Sequence, residues 1–345
     1  VATRIDSRLW ALAALQAAVT ISWQAYAYFQ PLLLARFGFT TLAGLLGWYL
    51  VFAGTTLAPL AGDASDRLVR SGGTRFPVIR AGVALAVASF VAVAVTARVD
   101  AESPLRFVLP LFVAIWIAGM TLFQAPALAI VRDLESGRPL STAMAPVVAA
   151  TVLPAALWPW VEALLARTGG SMTFLAGGIA VAGTAAAFGR SVPVVARDDG
   201  GDAGAGLPVA FGCGLLSAVA VVLGTDLVPA RLAEASGFAY AIALVGVAAA
   251  LMAFVLGGIS RTAGAVALTV GAAATVACRA LAPLCTGTPS AVVVSIGTGA
   301  GLGLHLATAL PVALSSRPAA RAGLVTGVYL AGAVVGNALV RFVAA

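Results

Sequence analysis

The chain has 345 residues, 61% of them hydrophobic and only 10% charged, with a mean hydropathy of +1.04; a soluble domain carries roughly 25% charged residues. That balance excludes a water-soluble fold of this length. The net charge of +7 comes from 20 basic residues, all arginine, against 13 acids, and these arginines are scattered over short loops rather than clustered as a nucleic acid would require.

The apolar residues gather into stretches of about 20, enough to cross a ~30 Å hydrocarbon layer at 1.5 Å per residue. In lipid they must be helical, because a helix satisfies its own backbone. In chain order they predict helices over 9–34, 40–62, 77–97, 105–132, 140–163, 171–189, 207–225, 236–257, 262–280, 289–313 and 322–343. Thr3, Arg4, Asp6 and Arg8 precede the first stretch, and no small-residue cleavage site follows it. The first helix is therefore expected to stay in place rather than leave as a signal peptide. The longest polar interruption runs from Arg190 to Gly206 and contains Asp198, Asp199, Gly200, Gly201 and Asp202. It predicts a six-helix unit at 1–189 and a five-helix unit at 207–345, joined by a cytoplasmic linker at 190–206. Cys213, Cys278 and Cys285 have neither metal-ligand nor disulfide spacing, and they read as small apolar fillers.

Arginine placement sets the orientation. With the amino terminus inside, that side holds Arg4, Arg8, Arg67, Arg70, Arg75, Arg80, Arg132, Arg138, Arg190, Arg197, Arg261, Arg317 and Arg321. The other side holds Arg36, Arg98, Arg106, Arg167, Arg231, Arg279 and Arg341. Basic short loops resist translocation, so the first set is expected to be cytoplasmic and the membrane to be the bacterial inner membrane.

The segment after the second predicted helix reads Gly62-Asp63-Ala64-Ser65-Asp66-Arg67-Leu68-Val69-Arg70-Ser71-Gly72-Gly73-Thr74-Arg75-Phe76-Pro77. Gly62 would let two helices approach closely, and Asp66 would meet a helix amino terminus across an interface. The spacing resembles the G-x-x-x-D-R signature of the major facilitator superfamily. Its Ser-Asp-Arg run, with Gly73, Arg75 and Pro77 following, is similar to the version in the sucrose and glycoside-type branch. At the end of the fourth predicted helix, Gln124-Ala125-Pro126-Ala127-Leu128-Ala129-Ile130-Val131-Arg132-Asp133-Leu134 resembles that branch's Q-x-P-x-R-A-x-x-x-D-L pattern. There the branch's arginine falls on Leu128. Arg321-Ala322-Gly323 leading into Thr326-Gly327 is similar to the family's eleventh helix start, and Gly257-Gly258-Ile259-Ser260-Arg261 is a degenerate echo of the first motif. The resemblance implies an all-α membrane protein with the major facilitator fold. It implies two pseudo-symmetric bundles of about eleven spanning helices, the family's twelfth having no counterpart here. It also implies a cytoplasmic gate at Gly62, Asp66, Arg67, Arg70 and Asp133. Asp66 is expected against Ala322 and Gly323, and Arg70 is expected to reach Asp133.

Helix interiors are nearly free of ionisable groups: Glu162, Asp226 and Arg279 fall near outer ends, Asp63 and Asp133 near inner ends. His305 lies about sixteen residues, roughly 24 Å, into its helix. It reads either as a proton-coupling residue or as a neutral imidazole satisfied by backbone. Gln24 and Tyr28 share a face at i, i+4 spacing. With Gln124, His305 and Asn337 they are the candidates for the polar lining of a substrate cavity, the aromatic residues being equally suited to the lipid interface. Glycines 323, 327, 332 and 336 read as close helix packing.

One histidine, no paired cysteines and no phosphate-binding glycine-lysine pattern leave no parts for an enzyme, a metal site or a cofactor. The leading expectation is a monomeric secondary transporter in the lipid bilayer, moving a small organic solute by alternating access with proton coupling. An efflux pump for apolar compounds and a non-transporting membrane sensor or assembly factor are the alternatives.

Overall fold

The computed structural model describes residues 7–134, 139–191, 206–255 and 261–344. Among the described residues there are thirteen α-helices: α1 (Ser7–Arg36), α2 (Leu42–Arg70), α3 (Phe76–Thr96), α4 (Leu109–Asp133), α5 (Leu140–Ala156), α6 (Trp158–Thr168), α7 (Gly170–Ser191), α8 (Gly206–Val222), α9 (Val228–Ser236), α10 (Ala241–Val255), α11 (Arg261–Leu281), α12 (Thr288–Ser315) and α13 (Ala322–Ala344). Among the described residues, 8 helical segments are long and apolar enough to cross a membrane, and the bent α5–α6 pair brings the number to 9. The 30-residue α1, interrupted by polar side chains, and the 15-residue α10, which reaches the edge of the described residues, complete the eleven predicted stretches. This is a multi-pass membrane protein.

Local sequence explains where elements stop and bend. The chain breaks by 65° between α5 and α6, where Pro159 cannot supply a backbone donor to the preceding turn. One predicted helix, 140–163, thus becomes two. Gly224-Thr225-Asp226 reads as the end of the predicted helix 207–225. Instead, a π-helical turn at Leu223–Leu227 carries α8 into α9 as far as Ser236, where Gly237 takes the left-handed conformation and ends it. Likewise α2 runs to Arg70, so Asp63 to Arg70 are helical rather than loop. Gly72, at φ 82°, closes this end, with Gly73 N donating to Leu68 O at 2.9 Å and Gly72 N to Val69 O at 3.0 Å.

Close packing follows a repeated pattern. In the first part of the chain α1 packs on α5, α2 on α4 and α3 on α4; in the second, α8 packs on α13, α10 on α12 and α11 on α12. Helices α2, α4 and α5 meet α13, α10 and α12 across the middle. Large apolar residues such as Trp48, Ile179 and Phe342 face outward, as side chains do against lipid. Most of the predicted linker and the echo of the first motif, at 192–205 and 256–260, lie outside the described residues.

Candidate functional site

The motif end of α2 is pressed against the start of α13. A Cβ on Gly62 would collide with the Gly323 carbonyl, and one on Gly327 with that of Ala58, so these glycines permit backbone contact. On its other side α13 meets α8 in the same way through Gly332 and Gly336.

That appression brings Asp66, fully buried, to the first turn of α13, where helix donors have no intrahelical partner. Gly323 N donates to Asp66 Oδ1 at 2.9 Å and Leu324 N to Oδ2 at 2.7 Å. Arg75 completes the arrangement. Its Nη1 pairs with Asp66 and its Nε donates to Asp133 Oδ2 at 3.0 Å, all three side chains being at most 1% exposed. Burial works against the Arg75 cation, but the two carboxylates outweigh that penalty and hold its pKa above the ordinary arginine value. One predicted contact and one predicted gate member are corrected here. Arg70 does not reach Asp133; its Nη1 donates to Ala320 O at 3.3 Å, because the turn at Gly72 folds Arg75 back into the bundle instead. Arg67 is 74% exposed and pairs with Asp63 at 2.6 Å, outside the buried cluster.

Beyond this sealed face lies a cavity of about 690 Å³ between the two sets of helices. Leu128, five residues before Asp133 on α4, Met144, near the start of α5, and Leu310, near the end of α12, line the end toward the cluster. Its other end carries Asp226 and Arg341, which are 44% and 65% exposed and pair at 3.3 Å. Arg341 is nineteen residues into α13, about 28 Å from its start by helical rise. The cavity therefore opens away from the Asp66 face. Its α1 wall presents Gln16, Thr20 and Gln24 one turn apart, and α4 adds Thr121 and Gln124. Asn337 also lines it and accepts from Arg341 Nε at 3.1 Å. Asp226 and Arg341 are the only aspartate, glutamate or arginine side chains among the described lining residues, and they neutralise each other.

Of the five sequence candidates for the lining, Gln24, Gln124 and Asn337 lie on it, and Tyr28 and His305 do not. Tyr28 packs edge-on against Phe29 and Trp158. His305 is fully buried behind the wall, its Nδ1 3.0 Å from Leu268 O and its Nε2 3.2 Å from Ser217 Oγ, and Ser217 itself faces the cavity. A carbonyl only accepts, so Nδ1 bears a proton; Ser217 Oγ, which also donates to Cys213 O at 2.8 Å, meets Nε2 in the role that the ring's charge requires. Of the aromatic residues of the first predicted helix, weighed between cavity and lipid interface, Trp23 and Tyr26 line the cavity. Sequence reading missed Arg75 as the centre of the cluster, although Arg75 stands in the quoted motif.

No protein-family model and no curated protein matches the chain. Solved structures do. The fucose:proton symporter FucP of E. coli superposes with a TM-score of 0.67 at 12% identity, over 97% of this chain and 90% of that one. The proton:xylose symporter XylE, bound to 6-bromo-6-deoxy-D-glucose, gives 0.63 at 14%, over 97% and 86%. The human organic anion transporter MFSD10 gives 0.63 at 15%, over 99% and 93%.

This is the major facilitator fold. In that fold the Asp66–Arg75–Asp133 cluster ties α2, α4 and the α2–α3 connection to α13, so it bridges the two bundles at one face. A rigid-body movement of one bundle against the other would have to break the contacts from Asp66 to α13, whereas Arg75–Asp133 lies within the first bundle.

Proposed function

We propose that this chain is a secondary transporter of a small uncharged organic solute, working by alternating access. The Asp66 face is cytoplasmic and is held shut by Asp66, Arg75 and Asp133. The observation that carries the reading is the combination of a face sealed by a buried, helix-anchored carboxylate with a largely apolar cavity, carrying Gln16, Thr20, Gln24, Thr121, Gln124 and Asn337, at the other side. Alternating access needs such a pair of elements, and a sensor or assembly factor does not. The arginine distribution supports the cytoplasmic placement of the motif face. The units at 1–189 and 207–345, joined at 190–206, are the bodies that would rock.

The uncharged class follows from the wall. An ion entering the cavity would lose water without meeting a free counter-charge, at a cost of several kcal/mol. Glutamine, threonine and asparagine offer both donors and acceptors to hydroxyl or amide groups. Among the structural neighbours, two are named as sugar:proton symporters and one as an organic anion transporter; the neutral wall favours the former as guides, and with them the sucrose and glycoside-type resemblance. Proton coupling would fall to His305 acting through Ser217, the contact that joins the imidazole to the cavity. Purified protein in proteoliposomes should take up a neutral polyol or glycoside but not its carboxylate or amine analogue. Uptake of the ionic analogues alone would reject the substrate class, and no solute movement under any gradient would reject the transporter.

A second reading, efflux of apolar compounds, rests on Leu128 at the end toward the cluster, where the resembled branch has arginine. Release of a lipophilic solute against an imposed proton gradient would favour it.

A further inference from the structure

The buried cluster holds two carboxyl groups and one guanidinium, and the helix ends around it treat the two carboxyls differently. Asp66 stands at the amino-terminal end of α13, where Gly323 N and Leu324 N donate to its two oxygens and Arg75 Nη1 is a third donor. All three donors favour the ionised form, as does the positive end of the helix. Asp133 is the last residue of α4, at the end where unpaired carbonyls disfavour an anion. Its Oδ2 accepts from Arg75 Nε at 3.0 Å, and 1% of the side chain is exposed. Its Oδ1 is buried and has no hydrogen-bond partner.

With both carboxyls ionised, one guanidinium would stand between two anions in a space closed to water. Such an excess charge is costly to bury, and a carboxyl relieves the cost by keeping its proton. The charged groups acting on Asp133 are Arg75 from the α2–α3 connection, Asp66 from α2 and, less than either, Arg132 from the preceding position of α4. Arg80 on α3 and Arg321 ahead of α13 are exposed, the first turns of α5 and α13 carry no titratable side chain, and 135–138 lie outside the described residues.

We propose that Asp133 is a proton-binding site: it is a neutral carboxylic acid while the Asp66 face is sealed, and sealing takes up one proton from the side on which that face opens. Asp66 and Arg75 stay charged throughout. Opening withdraws the α13 donors from Asp66 and admits water to the cluster, so both carboxyls can ionise and Asp133 returns its proton to that side. Protons bind the sealed form, so acid favours it and base favours opening. The neutral Asp133 stands on the cluster alone, whereas its link to opening rests on the alternating-access reading. The site lies in the first bundle, apart from His305 in the second.

The test begins with infrared spectroscopy of the full chain in detergent at neutral pH. A carbonyl band of a neutral carboxylic acid, shifting in D2O, should be present and should vanish in Asp133→Asn. Thermal unfolding then assigns the proton between the two carboxyls. Asp133→Asn, which mimics the neutral acid, should unfold near the wild-type temperature, and Asp66→Asn well below it. The distance between spin labels at Arg67 and Arg321 should report an open fraction that rises with pH, by up to about tenfold per unit, and should stay short at every pH in Asp133→Asn. Absence of the band, its survival in Asp133→Asn, or an Asp133→Asn protein that unfolds early or fails to fold while Asp66→Asn is tolerated would overturn the proton site. A pH-independent distance with the band present would overturn its link to the face, and solute uptake in proteoliposomes judges the transporter reading separately.

Discussion

Replacing Arg75 by glutamine would leave Asp66 and Asp133 buried around a neutral amide, and stripping one partner from a buried ion pair costs about 3–5 kcal/mol. Arg75→Gln should therefore lower the unfolding temperature of the purified protein sharply. Arg70→Ala, which loses one long hydrogen bond to Ala320 at the surface, should change stability by about 1 kcal/mol or less. Equal unfolding temperatures for the two variants would remove Arg75 from the centre of the cluster. His305→Ala should cost about 1–3 kcal/mol for the groups it leaves unpaired and, if the imidazole couples transport, leave solute binding intact while abolishing solute-driven proton movement. Proton movement at the wild-type rate would make His305 structural. At this scale the sequence was legible where spacing along one helix decides the contact. Asp66 follows Gly62 by one turn, so a close approach at one implies burial of the other. The choice between Arg70 and Arg75 was not legible, because it depends on the left-handed turn at Gly72 that reverses the chain between them. Nor could sequence show that His305 faces away from the cavity, since helix rotation is set by its neighbours.

Helices α2 and α13 touch through backbone at Gly62 and Gly323, so a single methyl at this crossing must push them apart. Gly62→Ala should open the Asp66 face. The check is alkylation of Ala319→Cys, a position only 6% exposed, by a water-soluble maleimide: labelling should rise several-fold over the same cysteine in the unaltered background. Unchanged labelling would mean that the crossing tolerates the methyl and does not govern closure. The eleven apolar stretches gave the helices because length and hydropathy suffice for that. They gave neither the bend at Leu157 nor the π-helical passage through Gly224-Thr225-Asp226. In both places a local signal, proline in one and a polar triplet in the other, is answered by packing against neighbouring helices. That passage is what carries Asp226 to the cavity rim, so the rim pair with Arg341 lay beyond sequence reading.

At the scale of the whole molecule, the repeated packing of α1–α5 and α8–α13, α2–α4 and α10–α12, and α3–α4 and α11–α12 makes two bodies that share one sealed face and one open mouth. The weak internal echo in sequence hinted at a repeat, and the helices of the two parts pair in the same order. If the sealed face is one state of a rocking equilibrium, a change that weakens only the bridge should shift populations without unfolding either body. Asp66→Asn is that change, since the amide keeps one acceptor for the α13 donors and loses its charge toward Arg75. Distances between spin labels at Arg67 and Arg321, both exposed at the Asp66 face, and between labels at Trp48 and Phe342 near the mouth, read the two ends together. The expected result for Asp66→Asn is a longer distance at the Asp66 face accompanied by a shorter one at the mouth. Distances unchanged at both ends, or lengthened at both, would contradict alternating access through this cluster.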